Sequence, residues 1–92
     1  MELEFDPWKD ARNMAEHGLS LERVVEMDLS TALAVEDARR DYGECRVRVL
    51  GPIGNRLHVA VVTYRGDKVR VISLRRANRR EERWYEEEAR PS

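Results

Sequence analysis

The chain is poor in the residues that carry covalent or metal chemistry. It has one cysteine, Cys45, and two histidines, His17 and His58, among 92 residues. A single thiol closes no intrachain disulfide, and three such ligands scattered along the chain make no zinc spacing. The five glycines form no phosphate-binding loop. No metal and no cofactor are therefore expected. No apolar run resembles a signal peptide or could span a bilayer. These absences point to a reducing, cytoplasmic setting away from membranes. Cys45, in an expected strand, reads as a small buried hydrophobe. The tripeptide Arg65-Gly66-Asp67 reads as a turn.

Net charge is also nearly absent, at -1. It hides an asymmetry, because residues 1–44 carry -7 and residues 45–92 carry +6. Charge placed by half in this way suggests charge placed by face. At this length one domain covering 1–92 is expected, with a thin core.

What is present is periodicity. Asp6 and Pro7 start a helix as N-cap and first residue, after a short extended lead-in. Trp8, Ala11 and Ala15 share one face of that helix, and Gly18 closes it in a left-handed conformation. Ser20 caps a second helix faced by Leu21, Val24 and Val25. The period then falls to two in TALAVED, ECRVRVLG, RLHVAVVTY and KVRVISL. The links GPIGN and RGD are short enough for antiparallel hairpins, and ARRDYG is expected to form a wider turn. Asn78 followed by Glu81 has capping-box spacing, so a last helix should run from Arg79 to about Ala89, before Pro91. The expected fold is α+β: two N-terminal helices, an antiparallel sheet of about four strands and a C-terminal helix.

The basic half concentrates its charge. Arg75 and Arg76 end the fourth strand, and Arg79, Arg80 and Arg83 follow within the helix. Arg65 and Lys68, on the preceding hairpin, extend the patch along the strand. A solvated face balanced by Glu81, Glu82, Glu86, Glu87 and Glu88 is one reading. The other is a polyanion site, because arginine outnumbers lysine here and its planar fork matches phosphate.

Three segments, FDPWKDARNMAEHGLSL, DYGECR and VISLRRANRREERWYE, together resemble the BrnT toxins of bacterial type II toxin–antitoxin systems. The matching positions are Asp6, Lys9, Asn13, His17, Gly18 and Ser20, then Gly43, Glu44 and Arg46. Ile72, Ser73, Arg75, Ala77, Glu81 and Tyr85 follow. Glu16, Asn78 and Glu82 depart from the family's usual residues. The resemblance runs from about residue 3 to 88. It implies a RelE-like fold and a ribonuclease that cuts RNA and so blocks translation and growth. It also implies a cognate BrnA-like antitoxin with a ribbon-helix-helix part, through which the complex would bind operator DNA.

Metal-free RNA cleavage needs a base for the 2′-hydroxyl, cations for the crowded phosphorus and an acid for the 5′-oxygen. Arg75, Arg79, Arg80 and Arg83 are candidates for the cations. His17 and Glu81 are candidates for proton transfer. His17 has the suitable range but equally suits the negative end of its helix, and Glu81 equally suits its cap. Tyr85 either meets a phosphate or base or packs as a core aromatic. Arg65, Lys68 and Arg76 are candidate RNA contacts, and Lys9 joins them if its helix lies beside the arginines. His58 reads as structural. A non-catalytic module that uses the same basic face for nucleic acid or an acidic partner is the competing reading.

Overall fold

Side-chain alternation builds a sheet larger and less uniform than the one expected. The computed structural model describes residues 2–37 and 44–89. The elements are β1 (Glu2–Phe5), α1 (Pro7–His17), a 3-10 helix (Leu21–Glu26), β2 (Leu33–Glu36), β3 (Arg46–Ile53), β4 (Arg56–Arg65), β5 (Lys68–Arg76) and α2 (Arg79–Ala89). The strands form one sheet in the order β1-β5-β4-β3-β2. The extended lead-in is thus a fifth strand. It pairs parallel to β5, from Glu2 opposite Lys68 to Phe5 opposite Val71, so the sheet is mixed. Period-two reasoning on four residues ahead of a helix could not reveal that pairing.

The remaining pairs are antiparallel, as expected. The β3–β4 and β4–β5 hairpins turn at Gly54-Asn55 and Gly66-Asp67, and both glycines take φ +62°. That left-handed value suits tight hairpin turns. Strand β3 therefore continues past Gly51 through Pro52 and Ile53, which the sequence reading assigned to the turn. The wide turn expected over ARRDYG falls at residues 38–43, outside the described residues.

The second helix is a single 3-10 segment rather than an α-helix. The Asp10 carboxylate accepts from the Leu21 amide and the Ser20 hydroxyl, fixing its start. Only six residues separate that cap from Met27, which turns extended and is buried in the core. A piece so short closes i→i+3 bonds more readily than a full α-helical ladder.

Helix α1 also packs otherwise than its apolar spacing suggests. Trp8 is 85% exposed, and Ala11 and Ala15 are exposed too. The buried residue of this helix is Asn13, 4% exposed. Its side-chain amide donates to the carbonyls of Leu19 and Leu74, at 2.9 and 2.7 Å, and its oxygen accepts from the Leu74 amide at 3.0 Å. Strand β1 covers β5 only as far as Val71. Beyond it, Asn13 satisfies the edge of β5 as a neighbouring strand would.

Cross-strand partners share a face. One face holds Leu3, Phe5, Val49, Ala60, Val62, Val69, Val71 and Leu74, packed with Leu19, Leu21 and Met27 into the main core. The other carries a smaller cluster of Leu50, Val59 and Ala77, closed by Leu57, Trp84 and Tyr85. Helix α2 thus sits opposite α1's core and covers only one end of its face. Its span agrees with the sequence reading, and Trp84 packs it onto the sheet. Cys45 is exposed, just before β3, because it precedes the alternating segment and is not part of it. His58 is buried, with Nδ1 2.9 Å from the Arg56 carbonyl.

Candidate active site

The register lays out the part of the second face that α2 leaves uncovered. Arg75, Val59, Leu50 and Leu33 form one row across four strands, at the end near α2. Ser73, Val61, Arg48 and Val35 form the next row. Arg70, Thr63 and Arg46 form a third, followed by Lys68 and Arg65. Between the second and third rows, β5 carries an extra residue, because Val61 pairs Ser73 while Val62 pairs Val71. Such a bulge bends a strand and re-aims its neighbours.

Two helices wall this face. Lys9, Arg12, Asn13 and Glu16 of α1 line a cleft with Ile72, Ser73 and, across the sheet, Arg46. Arg80, Glu81 and Trp84 of α2 line a second cleft with Val35, Arg48 and Leu50. The result is a trough with cations on its floor and both walls. Among them, Arg70 is paired with Glu4 at 3.2 Å, and Arg65 and Arg46 approach Glu44 at 3.6 and 3.8 Å. The Arg65 pair, half-exposed, is of the weak and exchangeable kind, whereas the other two are partly buried.

A closed polar arrangement lies where β5 meets α2. Arg75 grips Glu81 through two hydrogen bonds, Nη1 to Oε1 and Nη2 to Oε2, both 2.8 Å. Glu81 Oε1 also accepts from the Asn78 amide at 2.9 Å, and Asn78 Oδ1 accepts from the Glu81 amide at 2.8 Å. This is the expected capping box, here extended to hold an arginine. The hydrogen bonds from Arg75 hold the Glu81 carboxyl below its usual range. Burial opposes this, while the Asn78 amide and the charges of Arg75 and Arg48 reinforce it. Glu81 is therefore an anion at neutral pH, with a guanidinium clamped across it.

The arginine set expected to act together is split by the helix. At 3.6 residues per turn, Arg80, Glu81 and Trp84 face the sheet, and Arg79 and Arg83 lie on the outer side beside Glu82 and Glu86. Alternation sends Arg76 to the face opposite Arg75. Lys9 shares a cleft with Arg12 and Arg46 rather than with the arginines of residues 75–83 that its candidacy named. Arg65 and Lys68 share that face at its far end. His17, on the last turn of α1, has Nε2 3.7 Å from Glu16 and lines neither cleft. Tyr85 donates its hydroxyl to the Thr31 carbonyl at 2.7 Å and packs on the smaller cluster.

Sequence reasoning does not single out Arg12, Arg46, Arg48, Arg70 or Ser73 as site residues, although Arg46 and Ser73 are among the positions that carry the resemblance. Alternation of Arg46 and Arg48 against Val47 and Val49 was the available signal, and only the position of α2 tells which face they share. Among the described residues, no group of His, Cys, Asp and Glu is placed to hold a metal ion. Nor is any helix long and apolar enough to cross a membrane.

No individually curated protein matches this chain. A family model does match, over residues 5–81, and describes a ribonuclease toxin, BrnT, of type II toxin–antitoxin systems. That match runs from Phe5 at the end of β1 to Glu81 in the first turn of α2, and so takes in the α1 wall of the trough and Arg80 and Glu81 of the other. The chain belongs to the BrnT family of ribonuclease toxins.

Proposed function

We propose that the protein is an endoribonuclease that cuts RNA without a metal ion, blocks translation and so arrests growth in the cytoplasm. The supporting observation is the Arg75–Glu81 clamp at the head of a trough rich in arginine. In the reaction, the 2′-oxygen attacks phosphorus and the bond from phosphorus to the 5′-oxygen breaks. The 2′-hydroxyl proton leaves to a base, and the 5′-oxygen takes up a proton. Negative charge builds on the non-bridging oxygens meanwhile. A guanidinium pre-aimed at them lowers that barrier without reorganising. Arg75 takes that role, with Arg48 and Arg80 beside it, and Glu81 acts chiefly to position Arg75. Lys9, Arg46, Arg65 and Lys68 hold the flanking phosphates. His17 keeps its helix-end role.

The family's toxin–antitoxin character supplies the partner. We assign it to a BrnA-like ribbon-helix-helix antitoxin that covers the trough and carries the complex to operator DNA. A second reading is a non-catalytic RNA-binding module. It draws support from Glu81, whose carboxylate is committed to Arg75 and Asn78 and is a weak base.

One experiment separates the two. Purified protein freed of antitoxin is incubated with a defined RNA in EDTA, beside an Arg75→Ala variant checked for folding. Cleavage by the native sequence alone supports the ribonuclease reading and its site. Binding without cleavage, in solution and on ribosomes, supports the module.

A further inference from the structure

We propose that the apolar pocket between β2, β3 and α2 seats a nucleobase of the bound RNA against the Trp84 indole. This rests on the reading of the trough as an RNA site. Val35, Leu50 and Trp84 form the pocket's walls, while Arg48, Arg80 and Glu81 supply its charged rim. Such a lining is unsuited to a phosphate, which would meet mostly apolar surface. It suits a planar ring with an apolar face and a polar edge. Aromatic side chains stack on any base, and arginine donors meet the acceptors on a base edge.

Two further observations place a base here. Glu81 is a wall shared between this pocket and the Arg75 clamp, so a base in the pocket lies next to a phosphate at Arg75. Among the described residues, Arg48 Nε is buried and has no hydrogen-bond acceptor. A donor left so is costly in a folded protein, and a shift of the Arg48 side chain on binding would bring it to an acceptor on the base edge. The base would thus fix which internucleotide bond lies at Arg75, which makes the pocket a determinant of cutting preference.

The test uses a Trp8→Phe protein. Trp8 lies at the surface, so its loss leaves Trp84 as the reporting indole. The probe is a short 2′-O-methyl oligoribonucleotide, which lacks the attacking hydroxyl and stays intact. Its binding is followed independently by anisotropy of an end label. A saturable change in Trp84 emission that tracks anisotropy is expected. Polyphosphate, which carries charge but no bases, should give none.

Val35→Phe fills the pocket from β2 and leaves the α2 anchor in place. It should abolish the emission change, weaken binding roughly five- to hundredfold and flatten base preference beside the cut. Should that variant fold poorly, Trp84→Phe and Trp84→Leu serve instead, with phenylalanine retaining the tighter binding. An oligonucleotide that binds without altering Trp84 emission overturns the pocket, even if the protein cuts RNA. An equal response to polyphosphate overturns it too. Failure of the oligonucleotide to bind at all refutes the RNA reading as well.

Discussion

Arg75 and Glu81 meet in a two-bond clamp that ties the end of β5 to the first turn of α2. The folded-state pKa of Glu81 is depressed, so the unfolded chain binds its proton more readily. Stability from this group is therefore present above the ordinary carboxylate range and is lost as pH falls through the lowered value. Glu81→Gln keeps a cap-competent side chain but removes the charge. The variant should be less stable at neutral pH, and its thermal midpoint should vary less with acid than the native protein's. Parallel acid profiles for both proteins would remove Glu81 from this role.

The clamp also shows what was legible in the sequence. Asn78, Glu81 and the span of α2 follow from local spacing, because a cap is decided within four residues. Gly18 and the hairpin glycines are legible for the same reason. The pairing of β1 with β5 is not, because it joins residues more than sixty apart through backbone groups that no side-chain pattern marks. The packing of helix α1 is not legible either, because its anchor is polar. Periodicity counts Trp8 and the alanines and passes over Asn13. Within the site, the arginines could be counted but not sorted. Which of them face the trough depends on where α2 crosses the sheet, and that is set by Leu50, Val59 and Ala77 beneath Trp84.

Asn13 supports a second expectation. Asn13→Ala leaves the Leu74 amide and carbonyl without their partner at a buried edge, for a loss of about 2–4 kcal/mol in urea unfolding. Asn13→Asp keeps the shape but cannot donate to either carbonyl while ionised. Burial raises its carboxyl pKa above the unfolded value, so this variant should regain stability as pH falls. A neutral-pH loss below about 0.5 kcal/mol for Asn13→Ala, typical of a surface change, would contradict the strand-edge role.

Gly51 faces Met27 closely. A Cβ at Gly51 would lie 2.7 Å from Met27 Cγ and 2.8 Å from its Sδ. Gly51→Ala should cost about 1–3 kcal/mol through overpacking. Combined with Met27→Ala, its cost should shrink, because the clashing atoms are gone. Strictly additive losses in the double-mutant cycle would show that the strain lies elsewhere.

Antitoxin binding should protect the clamp region. If the partner covers the trough, backbone amides over residues 75–85 exchange more slowly in the complex than in the free toxin. Unchanged exchange there, with protection confined to the opposite face, would place the antitoxin away from the arginines.

The split of the arginines gives the sharpest expectation. Arg48 and Arg80 line the cleft with Glu81, whereas Arg79 and Arg83 lie outside it with Glu82 and Glu86. Binding of a non-cleavable RNA, measured against potassium chloride concentration, counts the phosphates neutralised. Each lost contact to a single strand lowers the slope of log affinity against log salt by about 0.7. Arg48→Ala and Arg80→Ala should each produce such a step and slow cleavage. Arg79→Ala and Arg83→Ala should leave slope and rate nearly unchanged, since their side chains already face carboxylates on the far side of α2. The reverse ranking would mean that RNA follows the outer face of the helix, and the trough would lose its claim to be the active site.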